Sequence, residues 1–269
     1  PSSDDCKGGE ALAGSYQVFF RREEGENILV ARDKEGLMGY MHINNLYKDQ
    51  RVLLFKEVYA LEKIHGTSAH VSWTHKGDEP GYVRFFAGGE SHERFVALFD
   101  EQTLAERFAA TGLKHVVVYG EAYGGRCQGM RGTYGDELRF VAFDVQIGKG
   151  WLTVPQAEAF TETLGLEFVD YARGPATVEW LDGQRDRESS QAIRNGIEGF
   201  RSREGIVIRP LEEMAMHGDE RVIAKHKGEE FQEVKTPRVV LTPDRLEVLK
   251  DAKAVAEEWV EEMMKGNKH

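Results

Sequence analysis

An α+β fold with largely antiparallel sheets is what three observations predict for this chain. Strand-like and helix-like segments are interspersed along the 269 residues without the regular alternation that builds a parallel sheet. Hydrophobic residues make up 41% of the chain and aromatic residues 10%, enough to bury a sizeable core. The strongest apolar runs, KHVVVYGEAY and LRFVAFDVQI, are of strand length and rich in β-branched and aromatic side chains.

The elements follow in order. Residues 1–15 read as a polar, Gly-rich leader. YQVFF and NILVA read as two strands around the turn-like RREEGE. RVLLFKEVYALEK is an apolar run leading into ALEKIHGTSAHV, and TSAHVSW alternates as a strand. SHERFVALFDEQTLAERFAATG has helical periodicity and a stop at Gly112. The two strong strands named above flank GGRCQGMRGTYGD, which lacks the Walker pattern and reads as a flexible loop. Pro155 near the start and Gly165 after the end frame a helix in VPQAEAFTETLG. SSQAIRNGIEGF is a shorter helix, and EGIVIRP and RVIAKHK are further strands. From Thr242 a tail helix carries the stripe Leu246, Leu249, Ala252, Ala256, Val260 and Met263. No internal repeat or low-complexity tract interrupts this order.

Composition narrows the function classes. With 35 Lys and Arg against 46 Asp and Glu, the formal net charge is -11. Such a chain does not hold nucleic acid by bulk electrostatics; any contact with RNA or DNA has to be local and salt-dependent. No apolar run approaches the roughly 18 residues of a membrane span. PSSDDCKGGEALAG has neither the basic nor the apolar region of a secretory signal. Cys6 and Cys127 are the only cysteines and form no CxxC pair, so a reducing intracellular compartment is expected. A monomer is expected.

A Lys-x-x-Gly pattern is uninformative alone, and this chain has it twice, at Lys63–Gly66 and Lys225–Gly228. Taken by itself, Lys63 reads as a solvated lysine at a strand end. Lys225 and Lys227 stand two apart at the end of a strand, so their ammonium groups leave one face. An anion between them, such as a triphosphate, would relieve their repulsion; a lysine-guarded edge strand explains them equally well. Glu121 and Glu204 each border an apolar strand, where a carboxylate suits a hard cation, a sugar hydroxyl or simply water. Phe143 is core or a stacking surface for a flat base. Asp144, inside an apolar strand, requires a partner. His65, His70 and His75 recur every five residues, a spacing that puts them on one face of neither a helix nor a strand, so zinc is not expected.

Taken together, EKIHG, VYGEAYG, FVAFDV, EGIVIRP and IAKHK resemble, in order, the nucleotidyltransferase motifs shared by ATP-dependent ligases and mRNA capping enzymes. The resemblance spans roughly 57–233. His65, where DNA ligases and capping enzymes usually carry aspartate, makes the chain look like an RNA ligase, and KIHGT with FD points to the type 2 branch. The resemblance implies a ligase adenylation fold with the nucleotide in a cleft between sheets. It implies ATP and Mg²⁺ or Mn²⁺ as cofactors, and RNA with 5′-phosphate and 3′-OH ends as the partner. Lys63 would be the nucleophile that takes AMP, with Gly66 letting the chain turn close to the nucleotide. Lys225 and Lys227 would lower the Lys63 pKa and neutralise the α-phosphate. Glu121 would accept from the ribose, Glu204 would hold metal, and Phe143 would stack on adenine beside Asp144. Glu62 would present its backbone to the adenine edge, Arg209 would reach phosphate, and Arg84 would be a further nucleotide-binding residue.

Departures accompany the match. Arg84 lies in VRFFAGG, a loose counterpart of the arginine segment of type 2 ligases, and Ser68 stands where asparagine is common. Residues 1–56 are expected to form a leader and N-terminal β segment, 57–235 the nucleotidyltransferase core, and 236–269 a linker and one amphipathic helix. That tail is shorter than the C-terminal domain of the type 2 branch, which leaves substrate handling the open part of the reading. A DNA ligase or capping-type guanylyltransferase of the same fold is one alternative. The other is an adenylylating module that depends on a partner for nucleic acid.

Overall fold

A computed structural model describes residues 16–23, 26–33, 39–215 and 220–231. The chain divides into two compact units, 1–39 and 40–269. In the first, β1 (Tyr16–Glu23) and β2 (Glu26–Asp33) pair antiparallel, from Tyr16 opposite Asp33 to Glu23 opposite Glu26. Both expected strands are there, each extended into the charged residues between them. Residues 40–56, grouped by sequence with the N-terminal segment, belong to the second unit.

The second unit holds two antiparallel sheets. The four-stranded sheet comprises β3 (Glu57–Lys63), β9 (Tyr171–Pro175), β10 (Gly205–Pro210) and β11 (Ala224–Lys227), in the order β11-β10-β3-β9. The five-stranded sheet runs β5-β4-β6-β7-β8, with β4 Thr67–Thr74, β5 Tyr82–Phe86, β6 His115–Gly124, β7 Leu138–Ile147 and β8 Gly150–Trp151.

Alternation along β3 sorts its residues into two environments. Val58 and Ala60 share a face with Ile206, Ile208 and Ala224, and this cluster packs with Leu181 and Val222. Tyr59 and Leu61, on the other face, join the larger core with Val71, Val118, Val141 and Val145. Lys63, Gly205 and Lys227 lie in one row across β3, β10 and β11 at the end of that second face. The core therefore fixes the lysine row by register: a one-residue slip would reverse it.

The helices are shorter than their periodicity suggests. The segment after Ser91 forms two, α1 (His92–Val96) and α2 (Glu101–Ala110), because Asp100 accepts from the Thr103 N–H and caps the second. The Gly-rich stretch after β6 is more ordered than the loop expected there. It contains a 3-10 turn at Cys127–Gly129 and α3 (Arg131–Tyr134), closed by a 2.9 Å bond from the Gly125 N–H to the Gly135 carbonyl. Beyond β8 come α4 (Val154–Thr163), α5 (Val178–Arg185) and α6 (Ser190–Arg194). RVLL at 51–54 is a 3-10 turn, so the expected long strand begins only at Glu57.

The sequence reading missed β5, β9 and α5. YARGP carries Gly and Pro, which weigh against a strand, yet Gly174 is required there: a Cβ would lie 2.3 Å from the Trp180 indole. The tail helix from Thr242 falls outside the described residues. Among the described residues, no helix is long and apolar enough to cross a membrane.

Candidate active site

The site begins at the turn between β3 and β4, where the chain passes Lys63, Ile64, His65 and Gly66. Ile64 is buried and anchors the turn. Gly66 lies against β6 so closely that a Cβ would stand 2.2 Å from the Ala122 carbonyl oxygen. Its N–H donates to Glu121 Oε1 at 3.1 Å. The His65 N–H donates to the Tyr134 hydroxyl at 3.2 Å, so α3 supports the turn from the other side. Gly66→Ala is expected to destabilise the protein by about 1–3 kcal/mol through this backbone collision, read as a lower denaturation midpoint.

Three basic groups converge on one carboxylate. Lys63 Nζ lies 2.8 Å from Glu204 Oε2, and Lys227 Nζ lies 3.0 Å from Glu204 Oε1. His65 Nδ1 is 3.3 Å from Oε2. Glu204 is buried, and burial alone would raise its pKa. The His65 hydrogen bond and the Lys63 and Lys227 ammonium groups outweigh burial and bring it down to about 2. Glu204 is thus an anion throughout the physiological range. Gly205 follows it between the two lysines; a Cβ there would meet the His226 carbonyl oxygen at 2.3 Å.

Glu121 has the opposite electrostatics. Burial raises its pKa to about 7; Lys63 opposes the shift, and the Glu204 charge adds to it. In the unfolded chain Glu121 would lose its proton near 4.5. Between those values the folded state binds more protons, so Glu121 makes stability fall as pH rises from 4.5 to 7 and level off above it. Relative to Glu121→Gln, the parent is expected to lose about 2–3 kcal/mol between pH 5 and pH 8. Denaturation of both proteins at the two pH values checks this.

The other expected site residues are distributed unevenly. Lys225 and Lys227 do share a face, while His226 between them points away and reaches Asp182 Oδ1 at 2.6 Å. Lys225 pairs with Val207 in the row next to Lys63. Arg84 sits on β5, its guanidinium 4.7 Å from the Tyr82 ring centroid and 2.8 Å from the Tyr82 hydroxyl. Glu62 turns from Lys63 into a buried cluster, accepting from Ser189 Oγ at 2.6 Å and the Gln191 N–H at 3.3 Å. Of its backbone, expected at the adenine edge, the N–H donates to the Asp170 carbonyl at 2.8 Å.

Phe143 and Asp144 part company at a bulge. Tyr119 pairs with Asp144 and Gly120 with Ala142, leaving Phe143 as the extra residue. Phe143 is half-buried, edge-on to Tyr40 at 4.8 Å. Asp144 is fully buried between Arg209 (3.0 Å) and Arg221 (2.6 Å) and accepts from the Tyr40 hydroxyl at 2.6 Å. Arg209, expected at a phosphate, is itself buried and bonds Glu213 and the Phe143 and Leu152 carbonyls. Asp144 and Arg209 are therefore buried and satisfy each other.

Sequence reasoning missed Tyr134, Tyr40 and Arg221. Tyr134 gave no signal, being one aromatic in a Gly-rich segment. The need of Asp144 for a partner was visible; which residues met it was not.

The fold is of the nucleotidyltransferase type, and comparisons with known proteins agree with the geometry. The RNA ligase family profile matches residues 56–227, and the chain belongs to that family. A Naegleria gruberi RNA ligase variant solved with AMP and Mn has a similar fold (TM-score 0.52, 12% identity, 80% of this chain and 75% of that one). The N. gruberi RNA ligase solved with PPi is similar too (TM-score 0.52, 15% identity, 86% and 62%). So is a variant with ATP and Mn (TM-score 0.51, 16% identity, 70% and 55%). At these identities the likeness is one of fold, and in two of these three matches the chain spans less than two thirds of the other's length. No curated protein sequence matches the chain.

Proposed function

We propose that the protein is an ATP-dependent RNA ligase working through a lysyl-AMP. The observation that supports this reading is the row of Lys63 and Lys227 on opposite oxygens of the buried Glu204, at the turn where the EKIHG resemblance would put the nucleophile. Lys63 Nζ attacks the α-phosphorus of ATP, a P–N bond forms and pyrophosphate leaves. AMP then passes to an RNA 5′-phosphate, and a 3′-OH displaces it to form the phosphodiester.

The ion pair with Glu204 bears on the first step. An ammonium has no lone pair, so Lys63 has to leave Glu204 and lose a proton before it attacks. Lys227 holds Glu204 from the other oxygen, and Lys225, one row away, would neutralise the α-phosphate as charge develops. Glu121, with its pKa near 7, would accept from the ribose hydroxyl, and Phe143 would stack on adenine.

A divalent metal fits the donor chemistry, since Glu204 offers an ionised oxygen ligand at the site. Among the described residues, no three His, Cys, Asp or Glu groups form a ready metal cluster. Glu204 would be the residue that holds Mg²⁺ or Mn²⁺, and the metal would supply charge neutralisation at phosphate.

Mass spectrometry after incubation with ATP or GTP tests the first step: an AMP adduct on Lys63 is expected with ATP. No adduct would sink the proposal. Lys225→Ala should slow adduct formation by roughly 10²-fold; a normal rate would refute the role given to that lysine. Nicked RNA, nicked DNA and single-stranded RNA assayed in parallel then decide whether RNA is the strand sealed.

A further inference from the structure

The chain has to hold a polyanion on a body of net charge -11. None of the motif residues explains how. A surface pocket of about 240 Å³ is lined by Arg94, Gly125, Arg126, Arg131 and Asp136. Three guanidinium groups face one carboxylate there. The volume is below that of ordinary small-molecule sites, roughly 300–1,000 Å³, and suits a single phosphate group better than a nucleotide.

The elements that form this pocket are those that hold the nucleophile. Tyr134, three residues after Arg131 in α3, accepts from the His65 N–H. Gly125 follows directly on β6, four residues beyond Glu121, which accepts from Gly66. Arg94 comes from α1, where it pairs with Glu90 at 2.9 Å, and Arg131 pairs with Asp136. Arg126 is exposed. Two of the three arginines are therefore paired with carboxylates, and all three present planar donors suited to phosphate oxygens.

The surface continues over the next loop. Arg201 donates from Nε to the Gly132 carbonyl at 2.9 Å, joining the loop after α6 to the turn that carries Arg131. Beside it Phe200 is 63% exposed, an unusual position for a phenylalanine. Arg201 thus ties the segment that carries Phe200 to the helix that carries Arg131. An exposed aromatic ring with guanidinium groups on linked elements is a combination that single-stranded or splayed nucleotides use, stacking on the ring while phosphates meet the cations.

We infer that the Arg94–Arg126–Arg131 pocket binds a backbone phosphate of the RNA strand flanking the junction, and that Phe200 stacks on a base of the same strand. The inference rests on the RNA ligase reading and adds to it the place where the polynucleotide docks. Contact through a few arginines also accounts for RNA binding by an acidic protein, and makes that binding sensitive to salt.

The test separates docking from nucleotide chemistry. Nicked RNA duplex with a 5′-adenylated strand is given to the parent, to Arg126→Glu/Arg131→Glu, to Arg126→Lys/Arg131→Lys and to Phe200→Ala. Binding is measured at several salt concentrations, and Lys63 adduct formation with ATP is measured on the same preparations. The charge-reversed protein should bind at least 10-fold more weakly with a shallower salt dependence, while its adduct yield stays at the parental level. The lysine pair should lose less, and Phe200→Ala should weaken binding several-fold with the salt slope unchanged. Parental binding by the charge-reversed protein would overturn the inference. So would an equal loss of adduct formation, which would make the pocket part of the nucleotide site or of the fold. Absence of the adduct from the parent would instead remove the ligase reading itself.

Discussion

Lys63→Ala should yield a folded protein that forms no AMP adduct and seals 5′-phosphate RNA at least about 10³-fold more slowly than the parent. The expectation follows from the proposed lysyl-AMP route: without the amine no P–N bond would form there. His65 Nδ1 lies 3.3 Å from the same carboxylate oxygen, but its backbone is held by the Tyr134 hydroxyl and an imidazole does not reproduce the lysine amine. Removing Lys63 leaves Glu204 still paired with Lys227, so the fold should persist. A 5′-adenylated strand provides the control, because the last displacement joins two RNA ends and forms no bond to lysine. Retained sealing of that strand by Lys63→Ala would locate the defect in adenylylation. An AMP adduct on the variant would place the nucleophile elsewhere.

The second large effect concerns stability. Asp144→Ala should lower unfolding free energy by about 3–5 kcal/mol, visible as a large drop in the urea midpoint. Asp144 is fully buried and accepts ion pairs from two buried arginines, Arg209 and Arg221, and a hydrogen bond from Tyr40. Among the described residues, its removal leaves Glu213 as the one carboxylate paired with both guanidinium groups. Arg221 also lies 4.0 Å over the Trp151 ring, so its displacement would disturb the aromatic cluster of Tyr40, Tyr119, Phe143 and Trp151. A shift below 1 kcal/mol would mean that the network is not what holds this part of the sheet. The position was read from sequence as a nucleotide contact; its geometry makes it a structural anchor beneath Phe143.

Much of the site could be read from the chain because strand alternation and motif order are local properties. Lys225 and Lys227 share a face for the same reason in a sequence as in a sheet, and Gly66 is forced by a backbone contact whose residue type alone hints at it. Glu204 and Glu121 were marked as carboxylates at strand edges. Their opposite ionisation was not legible, since one gains three basic neighbours and the other is buried with a single hydrogen bond to Gly66. The break between α1 and α2 was written in Asp100, but the periodicity of the surrounding residues masked it.

By itself the sequence determined most of the strands, their alternating faces and the order of the chemical motifs, since each depends on neighbours a few residues apart. Only the tertiary structure decided which charges meet. Lys63 and Glu204 are 141 residues apart, and Arg221 and Asp144 are 77 apart. Those pairings follow from antiparallel register and from burial, which makes an unpaired charge too costly to leave, and neither is encoded in any short stretch of chain.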